Sequence, residues 1–263
     1  MKLTLQDLKG EQKLYSSVLV YGPPKTGKTR SCSTAKRPIW YWDLNRGVEP
    51  LVRVAKTEGW KEDDLVVYRY LPPGGDKVAL TVNRPRGRDV YLEVMKDFNV
   101  LYDHMDLKTN KWKENLPFRP PATIVFDGIE DFQEIVLDFV LNVAGHELGD
   151  KKTDARDDYG NAMDKVEECI VSTQGLPCDS IWITHESVMQ DETTGQIRSD
   201  PYIVGKKLPQ RIGRHFGAVL YSSFKAPDKY VWYVKPQGYV KVAGSRGREF
   251  KEGEVNQNFK DVL

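Results

Sequence analysis

An α/β fold around a mostly parallel central sheet is what this 263-residue sequence predicts. Three observations predict it. Short apolar runs that read as strands buried on both faces alternate with segments whose apolar residues recur at helical spacing. The run Val18-Leu19-Val20-Tyr21 leads directly into Gly22-Pro23-Pro24-Lys25-Thr26-Gly27-Lys28-Thr29, which fits G-x-x-x-x-G-K-[ST] at every fixed position. A later run, Ala122-Thr123-Ile124-Val125-Phe126, closes on Asp127.

Taken in order, residues 1 to 16 alternate Leu with polar groups and read as an edge strand or a lid. Ser17–Tyr21 is a strand, and the glycine-rich loop after it opens a short helix from Lys28 to about Ala35, ended by Pro38 close behind. Ile39-Trp40-Tyr41-Trp42-Asp43 reads as a second buried strand. Pro50 suits the first turn of the next helix, where its missing N–H costs nothing, and Gly59 suits the cap at its end. Leu65–Tyr70 is a third strand. Residues 72 to 88 are loop-like and carry Arg84, Arg86 and Arg88, either a solvated run or a nucleic-acid contact. Tyr91, Val94, Met95, Phe98, Leu101, Tyr102 and Met105 mark one face of a helix, and a polar stretch returns the chain to strand Ala122–Asp127.

Phe132, Ile135, Val136, Phe139, Val140 and Val143 form the core face of the helix that follows. Residues 145 to 158 are charged and read as mobile. Tyr159, Ala162, Met163, Val166, Cys169 and Ile170 then point inward from a helix stopping at Gly175. Strand Ser180–Thr184 delivers His185 and Glu186 to the same sheet edge. Asp191 to Val204 reads as a hairpin or loop turning at Thr194-Gly195. A short helix follows, bearing Lys206, Lys207, Arg211 and Arg214. The C-terminal strands, expected to extend the sheet antiparallel, are Ala218–Phe224, Tyr230–Val234 and Tyr239–Ala243, with a turn at Pro236-Gln237-Gly238. The tail after Glu249 is polar, with Phe259 and Leu263 as docking residues.

Composition narrows the classes. Hydrophobic residues make up 40% of the chain, enough for one large domain with a full core or two small ones, and residues 1–263 are expected to form a single domain. A net charge of +1 excludes nucleic-acid binding through bulk charge and leaves only local clusters. Cys32, Cys169 and Cys178 lack metal-ligand spacing, as in a reduced cytoplasmic protein. Met1 to Lys13 lacks the apolar core of a signal peptide. No apolar run approaches the ~20 residues that span a bilayer, so no membrane partner is expected.

The loop carries the chemistry. Its backbone N–H groups converge into an anion nest, reinforced by the positive end of the helix. Gly22, Pro23, Pro24, Lys25, Thr26, Gly27, Lys28, Thr29 and Arg30 are the candidate contacts for a nucleotide. Lys28 would reach the β- and γ-phosphates and the Thr29 hydroxyl would ligate Mg²⁺, whereas Lys25, at the tip, is expected to face solvent. Ligands of open α/β sheets bind outside the carboxyl ends of the strands, so Asp127 would face the same Mg²⁺. His185 either contacts the γ-phosphate or the attacking water, or is a strand-end histidine satisfied by backbone.

These residues carry a resemblance. With Ile124-Val125-Phe126-Asp127-Gly128, Ile183-Thr184-His185-Glu186, Pro201-Tyr202-Ile203-Val204-Gly205-Lys206 and Ala243-Gly244-Ser245-Arg246 in this order, the chain resembles the RecA-like ATPases of bacteriophages, a family of phage nucleotide-binding or AAA-domain proteins. Some of its members are single-strand annealing recombination proteins. The resemblance implies a RecA-like P-loop core with ATP and Mg²⁺ at the interface of a homo-oligomer, filament or ring. It also implies single-stranded DNA bound by loops at residues 146 to 158 and 187 to 204. Arg246, Arg248 or Lys241 would then reach a neighbour's γ-phosphate, unless these residues form only a solvated turn. One departure stands out: where such ATPases place a water-polarising glutamate after the second strand, this chain has Asn45, which cannot accept a proton. Glu49, Glu130, Glu186 or Asp43 would have to serve instead, or ATP acts mainly as a switch of assembly.

Overall fold

The computed structural model describes residues 15–70, 87–144, 155–190, 195–203, 211–225, 229–246 and 249–263. Expectations for residues 1–14, for the loop of 72–88 as far as residue 86, for residues 145–154, for Asp191 to Thr194, for Lys206 and Lys207, and for Arg248 lie outside them; Arg88, expected in that loop, stands instead in a helix that begins at Gly87.

The strands are β1 (Ser17–Tyr21), β2 (Ile39–Asp43), β3 (Leu65–Arg69), β4 (Met105–Asp106), β5 (Lys111–Trp112), β6 (Thr123–Asp127), β7 (Asp179–Ile183), β8 (Glu186–Gln190), β9 (Ile197–Pro201), β10 (Ala218–Lys225), β11 (Lys229–Tyr233), β12 (Gly244–Ser245) and β13 (Glu254–Asn256). The α-helices are α1 (Lys28–Ser31), α2 (Glu49–Thr57), α3 (Gly87–Asp103), α4 (Ile129–Ala144) and α5 (Ala155–Thr173). Among the described residues, nine strands form one sheet in the order β13-β11-β10-β1-β7-β6-β2-β3, with β12 also pairing β10. Strands β10, β1, β7, β6, β2 and β3 run parallel, so their carboxyl ends share one edge. The expected mostly parallel sheet, flanked by helices and extended by antiparallel strands, is therefore present.

Alternation along the strands sorts side chains to two faces. Leu19, Tyr21, Trp40, Trp42, Ile124, Phe126 and Trp182 meet Phe98 of α3, Phe132 of α4 and Val166 of α5 on one face. Val18, Val20, Ile39, Tyr41, Val125, Ile181 and Ile183 meet Cys32, Leu51 of α2 and Phe259 of the tail on the other. On the first face, rings stack across four strands. Tyr68, Trp42, Phe126 and Trp182 lie with successive centroids 4.7, 4.9 and 4.2 Å apart and planes within 18°. In-register parallel pairing sets these residues level with one another, and the strand spacing of about 4.8 Å is also a stacking distance.

Several local expectations fail for tertiary reasons. Met105 leaves the helix, because α3 ends at Asp103 and Met105 opens a two-residue hairpin with Trp112. Val143, in the last turn of α4, is 67% exposed, and Tyr159 of α5 is 46% exposed; the helical period holds at both, but none of the described elements covers them. Residues 155–158 are the first turn of α5 rather than loop. Strand β10 is parallel to β1, and only β11, β12 and β13 extend the sheet antiparallel. No strand spans Tyr239–Ala243: Gln237 and Val240 close a tight turn with Gly238 at φ 56°, and Gly244–Ser245 pairs with β10 instead. The polar tail supplies a strand, β13, that its composition does not announce.

Candidate nucleotide site

The loop between β1 and α1 leaves the carboxyl edge of the sheet. Gly22 has φ 144°, and a Cβ there would lie 2.4 Å from the Ser222 carbonyl oxygen, so only glycine lets the loop rest on β10. Gly27 has φ 84°, with the Tyr230 ring and the Gln257 amide against it. Pro24, Lys25 and Arg30 are exposed, Pro23 and Thr29 half-buried, and Thr26 and Lys28 buried. Lys25 thus faces solvent as expected. The Thr26 hydroxyl donates to the Pro23 carbonyl at 2.8 Å. Lys28 Nζ donates to the Gly22 and Pro23 carbonyls at 2.9 and 2.7 Å. Burial lowers the Lys28 pKa to about 8, against the upward pull of Asp127, Glu130 and Glu186.

Strand parity brings the second landmark to the first. Tyr41 and Asp43 of β2 and Asp127 of β6 point to the face that carries α1. The Thr29 hydroxyl donates to Asp127 Oδ2 at 2.7 Å. The Tyr41 hydroxyl donates to the same oxygen, and Asn45 Nδ2 donates to Oδ1 at 3.2 Å. Burial raises the Asp127 pKa by more than the bonds from Tyr41 and Thr29 lower it. Gly128 follows at φ 102°; a Cβ there would sit 3.0 Å from both Asn45 Cβ and Asp131 Oδ2.

Two hard oxygen donors, the Asp127 carboxylate and a Thr29 hydroxyl whose proton is already directed at that carboxylate, suit Mg²⁺ completed by phosphate and water. Among the described residues no group of three or more His, Cys, Asp or Glu could hold a metal unaided.

The remaining candidates separate. His185 Nδ1 meets Glu130 Oε1 at 2.5 Å, so this histidine is satisfied by a carboxylate rather than by backbone. Thr184 Oγ1 lies 2.9 Å from Glu130 Oε2 and from the Tyr202 carbonyl. Burial works to raise Glu130, but the bond and charge of His185 prevail and hold its pKa below the ordinary value. Glu186 accepts from Ser199 at 2.7 Å and Tyr221 at 2.9 Å. Asp43 accepts from Arg69 Nε at 2.9 Å and Gly47 N at 2.8 Å. Glu49 is largely exposed, lies 3.8 Å from Arg69 and lines a groove of about 450 Å³ with Arg30 and Arg53. Arg246 N bonds Gly217 O at 2.8 Å beside the amino end of β10, and β10 parallels β1. Arg246 therefore stands at the opposite end of the sheet from the loop. Arg211 and Arg214, with His215, converge on Glu167, so the charge of that basic segment is partly neutralised.

Sequence reasoning missed Tyr41 and the Asn45 clamp on Asp127. Tyr41 was legible in principle, since it stands two residues before Asp43 and shares its face; Asn45 sits in a loop with no period.

The loop, the aspartate on β6 and the single strand between them define a P-loop nucleotide-binding fold. The chain belongs to a family of AAA domains, whose model matches residues 15–247. Membership indicates a nucleotide-binding, ATP-hydrolysing domain. The curated proteins contain no match. Among the described residues no helix is long and apolar enough to cross a membrane.

Proposed function

We propose that this protein is a Mg²⁺-dependent ATPase whose turnover is coupled to single-stranded DNA in bacteriophage recombination or replication. The observation that carries the nucleotide reading is the 2.7 Å bond between Thr29 and Asp127, which joins two sequence motifs 98 residues apart at one sheet edge. Gly22 to Thr29 bind the triphosphate, and Lys28 exchanges its bonds to Gly22 and Pro23 for the β- and γ-phosphate oxygens. Thr29 and Asp127 would hold a Mg²⁺ ion, which would supply charge neutralisation at those oxygens. Glu130, oriented by His185 and Thr184, takes the proton of the attacking water; the water oxygen bonds the γ-phosphorus, the bridging bond breaks, and ADP and phosphate leave. Glu130 is favoured because it bonds His185 and its charge acts on Lys28, whereas Asp43 is paired with Arg69, Glu186 is engaged by Ser199 and Tyr221, and Glu49 is largely exposed. Catalysis is positioning and charge stabilisation.

Coupling to DNA rests on the resemblance and on the β8–β9 hairpin, which exposes Val188, Met189 and Ile197 and is rooted beside His185 through the bond from Tyr202 N to His185 O at 2.9 Å. A homo-oligomer rests on the resemblance alone: Arg246, at the far end of the sheet with its guanidinium on the Arg214 carbonyl, could reach a γ-phosphate only on a neighbouring molecule. Asn45 favours a second reading, a slow nucleotide switch, and a helicase loader or motor keeps the ATPase with a protein partner. Turnover titrated with single-stranded DNA, alongside oligomer size, separates these. DNA stimulation supports the first reading, stimulation by protein alone the loader, and binding without turnover the switch. Lys28→Ala, correctly folded, should lose turnover by roughly a hundredfold or more; unchanged turnover removes the site.

A further inference from the structure

The outer flank of the phosphate loop is held by the C-terminal tail. Gln257, one residue beyond β13, directs its amide Nε2 at three acceptors: the Thr26 carbonyl at 2.9 Å, Ser222 Oγ at 2.7 Å and the Val231 carbonyl at 3.1 Å. Ser222 on β10 donates its own hydroxyl to the same Thr26 carbonyl at 2.9 Å. Two residues on, Phe259 N donates to Thr34 Oγ1 at 2.7 Å, and the Phe259 ring packs on Trp232 with centroids 4.6 Å apart. The tail therefore grips the loop and the turn after α1 at two points 8 residues apart, Thr26 and Thr34.

Peptide geometry gives this grip a consequence. Among the described residues the only cis peptide is Arg37-Pro38, so the Thr26–Gly27 peptide is trans. In a planar trans peptide the C=O and the following N–H point in opposite directions. Two donors holding the Thr26 carbonyl outward against β10 and the tail thus hold the Gly27 N–H inward, toward the space the loop encloses.

We propose that Gln257, assisted by Ser222, is a positioning residue that presets the Gly27 N–H for a phosphate oxygen, making the C-terminal tail part of the nucleotide site. The inference rests on the nucleotide reading above. Gln257 does not touch the nucleotide; it acts through the Thr26–Gly27 peptide.

Gln257→Glu tests it, because the carboxylate keeps the shape of the amide but offers no donor and repels the Thr26 carbonyl. A preset N–H stabilises ground and transition states alike, so KM for ATP should rise about three- to tenfold, the effect of losing one or two hydrogen bonds. The value of kcat should stay within about twofold. Inorganic tripolyphosphate, as competitive inhibitor, should weaken by the same factor, since it shares the phosphates and lacks the base. Ser222→Ala should shift both constants the same way by a smaller factor, and it carries the test should Gln257→Glu not fold. Unchanged constants in both variants, a fall in thermal stability alone, or weakened ATP with unaltered tripolyphosphate would each overturn the proposal. If wild-type protein binds neither ATP nor tripolyphosphate, the nucleotide reading itself has failed, a result distinct from a variant that matches a competent wild type.

Discussion

Asp43 and Asp127 end neighbouring strands in register, point to the same face and are both fully buried. Their surroundings differ in one respect. Asp43 has a guanidinium, Arg69 Nε at 2.9 Å, supplied by the adjacent strand in register. Asp127 has only neutral donors, the hydroxyls of Tyr41 and Thr29 and the amide of Asn45. A buried carboxylate is tolerated when a cation and hydrogen bonds compensate it. At Asp43 the cation is part of the fold, and the carboxylate is structural. At Asp127 the fold orients the group and raises its pKa by burial; Lys28 is near but spends its hydrogen bonds on the loop's own carbonyls. The same residue type at the same height of the same sheet is thus a structural ion pair in one strand and, on the proposed reading, a metal ligand in the next.

The sharpest way to break that contrast is to neutralise Asp127. Asp127→Asn should reduce ATP turnover by roughly a hundredfold or more, with a thermal midpoint at or above wild type because an uncompensated buried charge is gone; retained turnover would make the two aspartates alike. Arg69→Met is the converse. It strands the Asp43 carboxylate and should cost about 2 kcal/mol of stability in urea unfolding, less than for a fully enclosed pair because Arg69 is 38% exposed. Turnover per folded molecule should hold; if it falls while stability does not, Asp43 belongs to the reaction.

Tyr41→Phe removes one of the donors that aim Asp127. The Mg²⁺ concentration for half-maximal turnover should rise about tenfold, as when an outer-shell partner of a ligand is lost, with the saturated rate little changed. An unaltered Mg²⁺ dependence would leave Tyr41 with packing alone.

The smallest effect concerns Asp131, close to Asp127, whose pKa burial and the Glu130 and Glu134 charges raise to about 6. A raised carboxyl pKa means the folded state prefers the proton. The stabilisation is full below the unfolded value near 3.8 and is lost as pH rises through about 6. Asp131→Asn should therefore raise the melting temperature at pH 7 by about 2 °C and leave it unchanged at pH 3.5. An equal shift at both pH values would trace the gain to packing.

Much of the parallel core was legible because its signals are local. Each of β1, β2, β6 and β7 is an apolar run ending in a loop or an acid, and the period of α3, α4 and α5 is written in their own residues. The phosphate loop was legible for the same reason, since Gly22 and Gly27 adopt positive φ within a few residues of each other. The failures lie where partners are distant. Val143 and Tyr159 keep the helical period yet face outward, because period marks a face without naming what covers it. Tyr239–Ala243 has strand composition, but Gly244–Ser245 has the position beside β10. In the polar tail, β13 forms because β11 offers it an open edge, not because its residues favour a strand.

The sequence by itself determined that a phosphate-gripping loop follows the first strand and that an acid closes a later one, since both depend on chain geometry over fewer than ten residues. Only the tertiary structure decided that Tyr41 and Asn45 close on Asp127, which glutamate takes His185, and that Gln257 reaches back to Thr26. Those assignments depend on strand order and register, through which residues far apart in the chain come within hydrogen-bond distance, and no local pattern of residues encodes that distance.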